Sequence, residues 1–185
     1  MNPYVKVMYG TTSGANSSLQ YKINEVNVSN HWNPTAQHGK DFGGFNYTTE
    51  DCILRWLHRG DTIYDVEIPE DAEVVKLDGA TTVYRANKII IKNPRKVDDE
   101  LALHFYQISH IPEKSYYKAL GVVSIMNYRK TAYQIIKDKV NKDNINEVLE
   151  EWDDFISHGN KGDRKDVNDL VKEVDAYLRQ IQSNS

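Results

Sequence analysis

The run Asp41-Phe42-Gly43-Gly44-Phe45-Asn46-Tyr47-Thr48-Thr49-Glu50-Asp51-Cys52-Ile53-Leu54-Arg55-Trp56-Leu57 reads as loop, strand and helix in one piece. Two adjacent glycines let the backbone come close to something. Phe45-Asn46-Tyr47 is a short aromatic strand. Thr48 or Thr49 can cap the helix that follows, because a hydroxyl accepts from a free N–H of the first turn. Glu50 and Asp51 then sit where the helix dipole favours negative charge. Ile53, Trp56 and Leu57 share one face at i, i+3, i+4 spacing, and Gly60 ends the helix. After it, Thr62 to Ile68 alternates in character as a half-buried strand, stopped by Pro69.

Upstream, Tyr4 to Tyr9 reads as a first strand, Gly10 to Ser18 as a loop, and Tyr21 to Val28 as a segment with a short strand. His31 to Gly44 is loop-like. Downstream, Glu73 to Leu77 is a strand, Asp78-Gly79 a turn, and Thr81 to Tyr84 and Lys88 to Lys92 two further strands, the last closed by Asn93-Pro94. From Asp98 the period changes from two to 3.6. Asp98 is the expected N-cap of a helix carrying Leu101, Phe105 and Ile108 on one stripe. Pro112 breaks the pattern. Ser115 to Val140 reads as one long amphipathic helix, weakened at Gly121 by roughly 1 kcal/mol relative to alanine. Asn144 starts another, through Trp152 to Ile156, and Asp166 to Ile181 is the last. The order implies an α+β chain: a β-rich part over residues 1–97, then a helical half over 98–185 packed on it. The Gly159-Asn160-Lys161-Gly162 joint makes the last helix, 163–183, the piece expected to move or to bind a partner.

The chain has 185 residues, 39% of them hydrophobic, and 12 tyrosines, which suits a folded core and not a disordered chain. Its net charge of -4 supplies no bulk basic field for nucleic acid or an anionic membrane. The N-terminal residues form no apolar leader core, and no run approaches ~18 apolar residues, so a cytoplasmic protein without a membrane span is expected. Cys52 is the single cysteine and reads as a small buried side chain. The histidines form no HxxxH or HxH pair, which leaves no metal site to expect. A G-x-S-x-G elbow is absent, and Gly39 to Gly44 lacks the P-loop spacing. Taken from the residues alone, the aromatic strand at 45–47 is equally well an end packed on its own helix.

Four segments in order carry a resemblance. They are Met8-Tyr9-Gly10-Thr11; Gly44-Phe45-Asn46-Tyr47-Thr48-Thr49 with Trp56; Ile63-Tyr64-Asp65-Val66-Glu67; and Asp78 to Tyr84-Arg85. Over about residues 5 to 92 the chain resembles the small, rifampin-modifying type of bacterial ADP-ribosyltransferase. Those proteins have His where Tyr9 stands and Tyr where Asn46 stands, with Tyr47 one place later; a one-place shift turns a strand side chain to the other face. The resemblance covers half the chain and leaves out the helical half.

It implies a split, twisted, mostly antiparallel β-core with NAD lying in a cleft. Gly10 and Thr11 would hold the nicotinamide amide and the adenosine side, with Gly44, Phe45, Asn46 and Thr48 lining the cleft. Tyr47 would stack on nicotinamide and Tyr9 would bond a ribose hydroxyl. Asp78 is the first choice for the carboxylate that stabilises the cationic sugar, then Glu67 and Glu100. Arg85 would meet a phosphate. Each has a plain alternative: Asp78 as a turn residue, Glu67 as an outward strand residue, Glu100 as first-turn dipole compensation, Arg85 as a partner of an acid. The implied function is mono-ADP-ribosyl transfer from NAD to a macromolecule, a protein before a nucleic acid. The alternative is a non-catalytic scaffold of the same kind, a phage or mobile-element factor that binds a host protein.

Overall fold

A computed structural model describes residues 4–14, 18–77, 79, 81–159 and 168–184. The chain is α+β and divides into two compact units: one of residues 1–53 and 59–97, the other of residues 54–58 and 98–185.

The first unit is built on a sheet of β1 (Tyr4–Met8), β2 (Val26–Val28), β3 (Phe45–Thr49), β4 (Thr62–Glu67), β5 (Val74–Leu77), β6 (Val83–Ala86) and β7 (Lys88–Lys96). The strand order is β2-β7-β4-β1-β3-β6-β5, and every ladder between these strands is antiparallel. Strand β1 is central. It pairs with β4 over Val5 to Met8, but with β3 only through Tyr4↔Thr49 and Val5↔Thr48. Beyond those two pairs β1 and β3 part. Met8, Tyr21, Phe45, Tyr47, Tyr64, Val66, Ala86, Ile89 and Ile91 form one buried cluster in this unit.

Three local expectations change here. The strand expected within 21–28 is Val26–Val28 alone, because the Asn27 amide folds the preceding residues into a turn. Its Oδ1 accepts from Lys22 N–H at 2.8 Å and its Nδ2 donates to the carbonyls of Lys22 and Glu25. Strand β7 runs through Asn93-Pro94 to Lys96 instead of ending there. Asn93 takes a left-handed φ of 50° at an irregularity opposite Ile63 and Asp65. The β2 pairing ends at Ile90 and the Ile23 bridge at Ile91, so Pro94 lies beyond both, where a missing N–H breaks no bond to that segment. The helix after β3 is a 3-10 helix, Glu50–Arg59, and neither threonine caps it through its side chain. Thr48 Oγ1 donates instead to the Thr82 carbonyl. Ile53 and Leu57 are buried as expected, Leu54 joins them, and Trp56 is only half-buried.

The second unit holds α1 (Asp99–Ile108), α2 (Glu113–Ile125), α3 (Arg129–Lys139), α4 (Ile145–Asp154), a π-helical turn (Phe155–Gly159) and α5 (Asp169–Ser183). Asp98 caps α1 as expected, accepting from Leu101 N–H at 2.9 Å. The single long helix expected over 115–140 is two. Asn127 adopts φ 62°, and its N–H and that of Tyr128 donate back to the carbonyls of Ser124 and Val123, which closes α2 with a Schellman motif. Gly121 is a packing requirement more than a weak point: a Cβ there would stand 2.4 Å from the Phe155 ring. Asn168 caps α5 through Val171 N–H and donates to the Ser124 and Ile125 carbonyls at the end of α2. Leu170, Val174 and Leu178 are fully buried, so α5 contributes to the core of this unit. The 160–167 part of the glycine joint lies outside the described residues. No described helix is long and apolar enough to cross a membrane.

Candidate functional site

The separation of β1 from β3 is bridged by a lysine. Lys6 is 5% exposed, and its Nζ donates to the Asn46 carbonyl oxygen at 2.7 Å and to Asn46 Oδ1 at 2.6 Å. A side chain thus supplies the donors where a continued ladder would supply backbone N–H groups. The ammonium also lies 5.3 Å from the centre of the Tyr21 ring. Arg85, on β6, donates from Nη1 to the Gly43 carbonyl at 2.7 Å. Burial, and then the charge of Arg85, bring the Lys6 amine down to about 7. Burial also lowers Arg85. Burial raises the Tyr21 phenol well above its ordinary range.

Around this centre the residues named by the resemblance fall into three groups. Gly44, Phe45, Asn46 and Arg85 surround the parted end of β3, where Asn46 and Arg85 are register partners. Phe45 packs on Tyr21 with ring centres 5.3 Å apart. Both glycines have φ 65°, and what they approach is the chain itself. A Cβ on Gly43 would lie 2.2 Å from the His31 carbonyl oxygen; on Gly44 it would lie 2.6 Å from the Ala86 carbonyl oxygen and 2.7 Å from the Trp32 ring. Gly44→Ala is therefore expected to cost about 2–3 kcal/mol through left-handed strain and this contact, read as a lower urea midpoint.

The second group is the turn after β1. Gly10, with φ 54°, shapes it, and Tyr9 and Thr12 exchange backbone hydrogen bonds. The Gly10 carbonyl accepts from the Tyr64 hydroxyl at 2.9 Å, and the Thr11 carbonyl from Tyr21 N–H at 2.9 Å. The carbonyls read as a grip for nicotinamide are thus already engaged. Tyr9 is 40% exposed. Asp61 holds this turn from below. Burial opposes its charge, but hydrogen bonds from Lys96, Thr62 and the Gly10 N–H carry its carboxyl below the ordinary range.

The third group is at the other end of β3. Tyr47 is 4% exposed, stacked on Tyr84 with ring centres 5.4 Å apart and edge-on to Tyr4 at 5.3 Å. Burial, then Tyr4 and Tyr84, raise its phenol. Thr48 Oγ1 donates to the Thr82 carbonyl at this end of the strand. Tyr9 and Tyr47 are not brought together. Asp78 lies outside the described residues. Glu67 and Glu100, the other acids, are ion-paired with Lys92 and Lys130.

Lys6 and Tyr21 are the residues that the sequence did not single out. A signal was present: Lys6 shares its strand face with Tyr4 and Met8, not with polar residues, which puts a charge on an otherwise apolar face. No family model, no curated protein and no solved structure matches this chain.

Proposed function

We propose that this chain is an ADP-ribosyltransferase-like protein that takes NAD at the opening between β1 and β3 and transfers ADP-ribose to a macromolecular target, a protein. The two-residue pairing of β1 with β3 supports this reading most directly. Because the strands are antiparallel, the Tyr9-Gly10-Thr11 turn and the Gly43-Gly44-Phe45 segment leave the sheet at the same end, on either side of the gap that Lys6 bridges. In this reading Arg85 meets the diphosphate and the Tyr9 hydroxyl a ribose. The Asp78 carboxylate stabilises the cationic sugar as the bond to nicotinamide breaks, before a nucleophile of the target attacks the same carbon.

Incubation with labelled NAD and a bacterial lysate tests it. A labelled macromolecule is expected, with labelling reduced about a hundredfold in Asp78→Ala. Calorimetry that finds no NAD binding at millimolar ligand would overturn it.

A second reading, a non-catalytic scaffold that binds a host protein, is favoured by two placements. His31 and Trp32 occupy the space beside the glycines, and Tyr47 is enclosed between Tyr4 and Tyr84. It predicts a complex recovered intact with Asp78→Ala and Tyr47→Ala.

A further inference from the structure

Lys6 and Arg85 form a charge arrangement that the fold does not neutralise. Among the described residues neither makes an ion pair with a carboxylate, although fifteen other ion-paired contacts are present. The groups set against Lys6 are Asn46 from β3, its register partner Tyr64 from β4, Arg85 from β6 and Tyr21 from the segment before β2. None is acidic. Burying like charges beside one another without a counter-charge is costly, and proteins ordinarily pair such groups.

Donor accounting points the same way. An ammonium has three N–H donors and a guanidinium five. Lys6 directs donors to the two oxygens of Asn46, which leaves one over. Arg85 uses Nη1 on Gly43, while its Nε is buried with no hydrogen bond. The Tyr21 hydroxyl is buried without a hydrogen bond of normal geometry, although Ser13 lies beside it. Unused donors on two cations and a phenol, with no carboxylate among them, match the needs of a tetrahedral oxyanion.

We infer that Lys6, Arg85 and Tyr21 form a binding site for an oxyanion, a phosphate or diphosphate group, in the gap between β1 and β3. The site rests on the ADP-ribosyl reading only for the nucleotide as a source of that group; the charge argument stands without it.

Calorimetric titration with sulfate and with ADP-ribose, each at about pH 6 and about pH 9, tests the site. Both probes keep a constant charge over that window, so a change in affinity reports the protein. Binding is expected to weaken about tenfold or more towards the higher pH, as Lys6 loses its proton. Lys6→Met and Arg85→Gln, checked for unchanged circular dichroism, should lose it. If both probes bind and compete, the site takes a nucleotide diphosphate. If sulfate binds with this pH dependence and ADP-ribose does not, the oxyanion site stands and the NAD reading falls. No binding of either probe at about 20 mM, or binding that is the same at both pH values, overturns the inference. The wild-type comparison needs no variant to fold.

Discussion

Lys6→Met is expected to be more stable than the wild-type chain near pH 6 and to lack the wild type's gain in stability at higher pH. The folded chain releases the Lys6 proton near pH 7, against 10.5 for the free side chain. Between those values the unfolded chain holds one proton more, so raising the pH favours the folded state, by up to about 1.4 kcal/mol per pH unit. The useful window is about pH 7.5 to 9.5. Above it the buried tyrosines act with the opposite sign. Tyr21, Tyr47 and Tyr106 are all raised, so their unfolded forms lose protons first and stability falls. Methionine has a similar length and no charge to desolvate, and such replacements are often stabilising by about 1–3 kcal/mol. The two hydrogen bonds lost at Asn46, about 1 kcal/mol each, leave a net gain of at most about 1 kcal/mol. Urea unfolding across the window measures both effects. A wild-type stability that stays flat there, or a variant that keeps the rise, would refute the prediction.

Trp152→Ala should cost about 3–5 kcal/mol, the usual range for emptying a fully buried indole site. Trp152 is 1% exposed on α4, and its Nε1–H donates to Asp175 Oδ1 on α5 at 3.0 Å. The same helices bury Val148, Leu149, Leu170, Val174 and Leu178. Removing the ring withdraws partners from both helices at once and leaves a cavity that rigid neighbours fill only in part. Trp152→Phe keeps most of the volume and loses the hydrogen bond, and is expected to cost nearer 1 kcal/mol. Asp175 keeps its contact with Arg179 in both variants. Equal losses in the two variants would mean that the hydrogen bond, not the packing, sets the stability of this unit.

Much of the fold was legible because its cues are local. The alternation over 62–68 and the change of period at Asp98 need no knowledge of the partner. Asp98 caps α1 through a residue three places on. Misreadings arose where a side chain or a backbone angle overrode the period. Asn127 ends α2 inside an unbroken apolar pattern, because asparagine tolerates the left-handed region and two carbonyls are satisfied there. Thr48 gave its hydroxyl to a distant carbonyl and left the helix uncapped.

The candidate site was legible in pieces only. Glycines 43 and 44 were rightly read as points of close approach. What approaches them is His31 and Trp32, from a loop whose return no spacing encodes. Tyr47 was read as facing a ligand, yet the register sets it opposite Tyr84, and Tyr4 encloses it.

The sequence by itself determined the class of the chain, the order of its strands and helices, and the aromatic and glycine positions at 43–47. The tertiary structure decided which strand is central and where its neighbours part. Those two facts turn Lys6 from an ordinary strand lysine into a buried cation beside Arg85. The reason is physical: a residue's period fixes its face, but its dielectric surroundings and its partners are set by strands paired across 40 residues or more of chain.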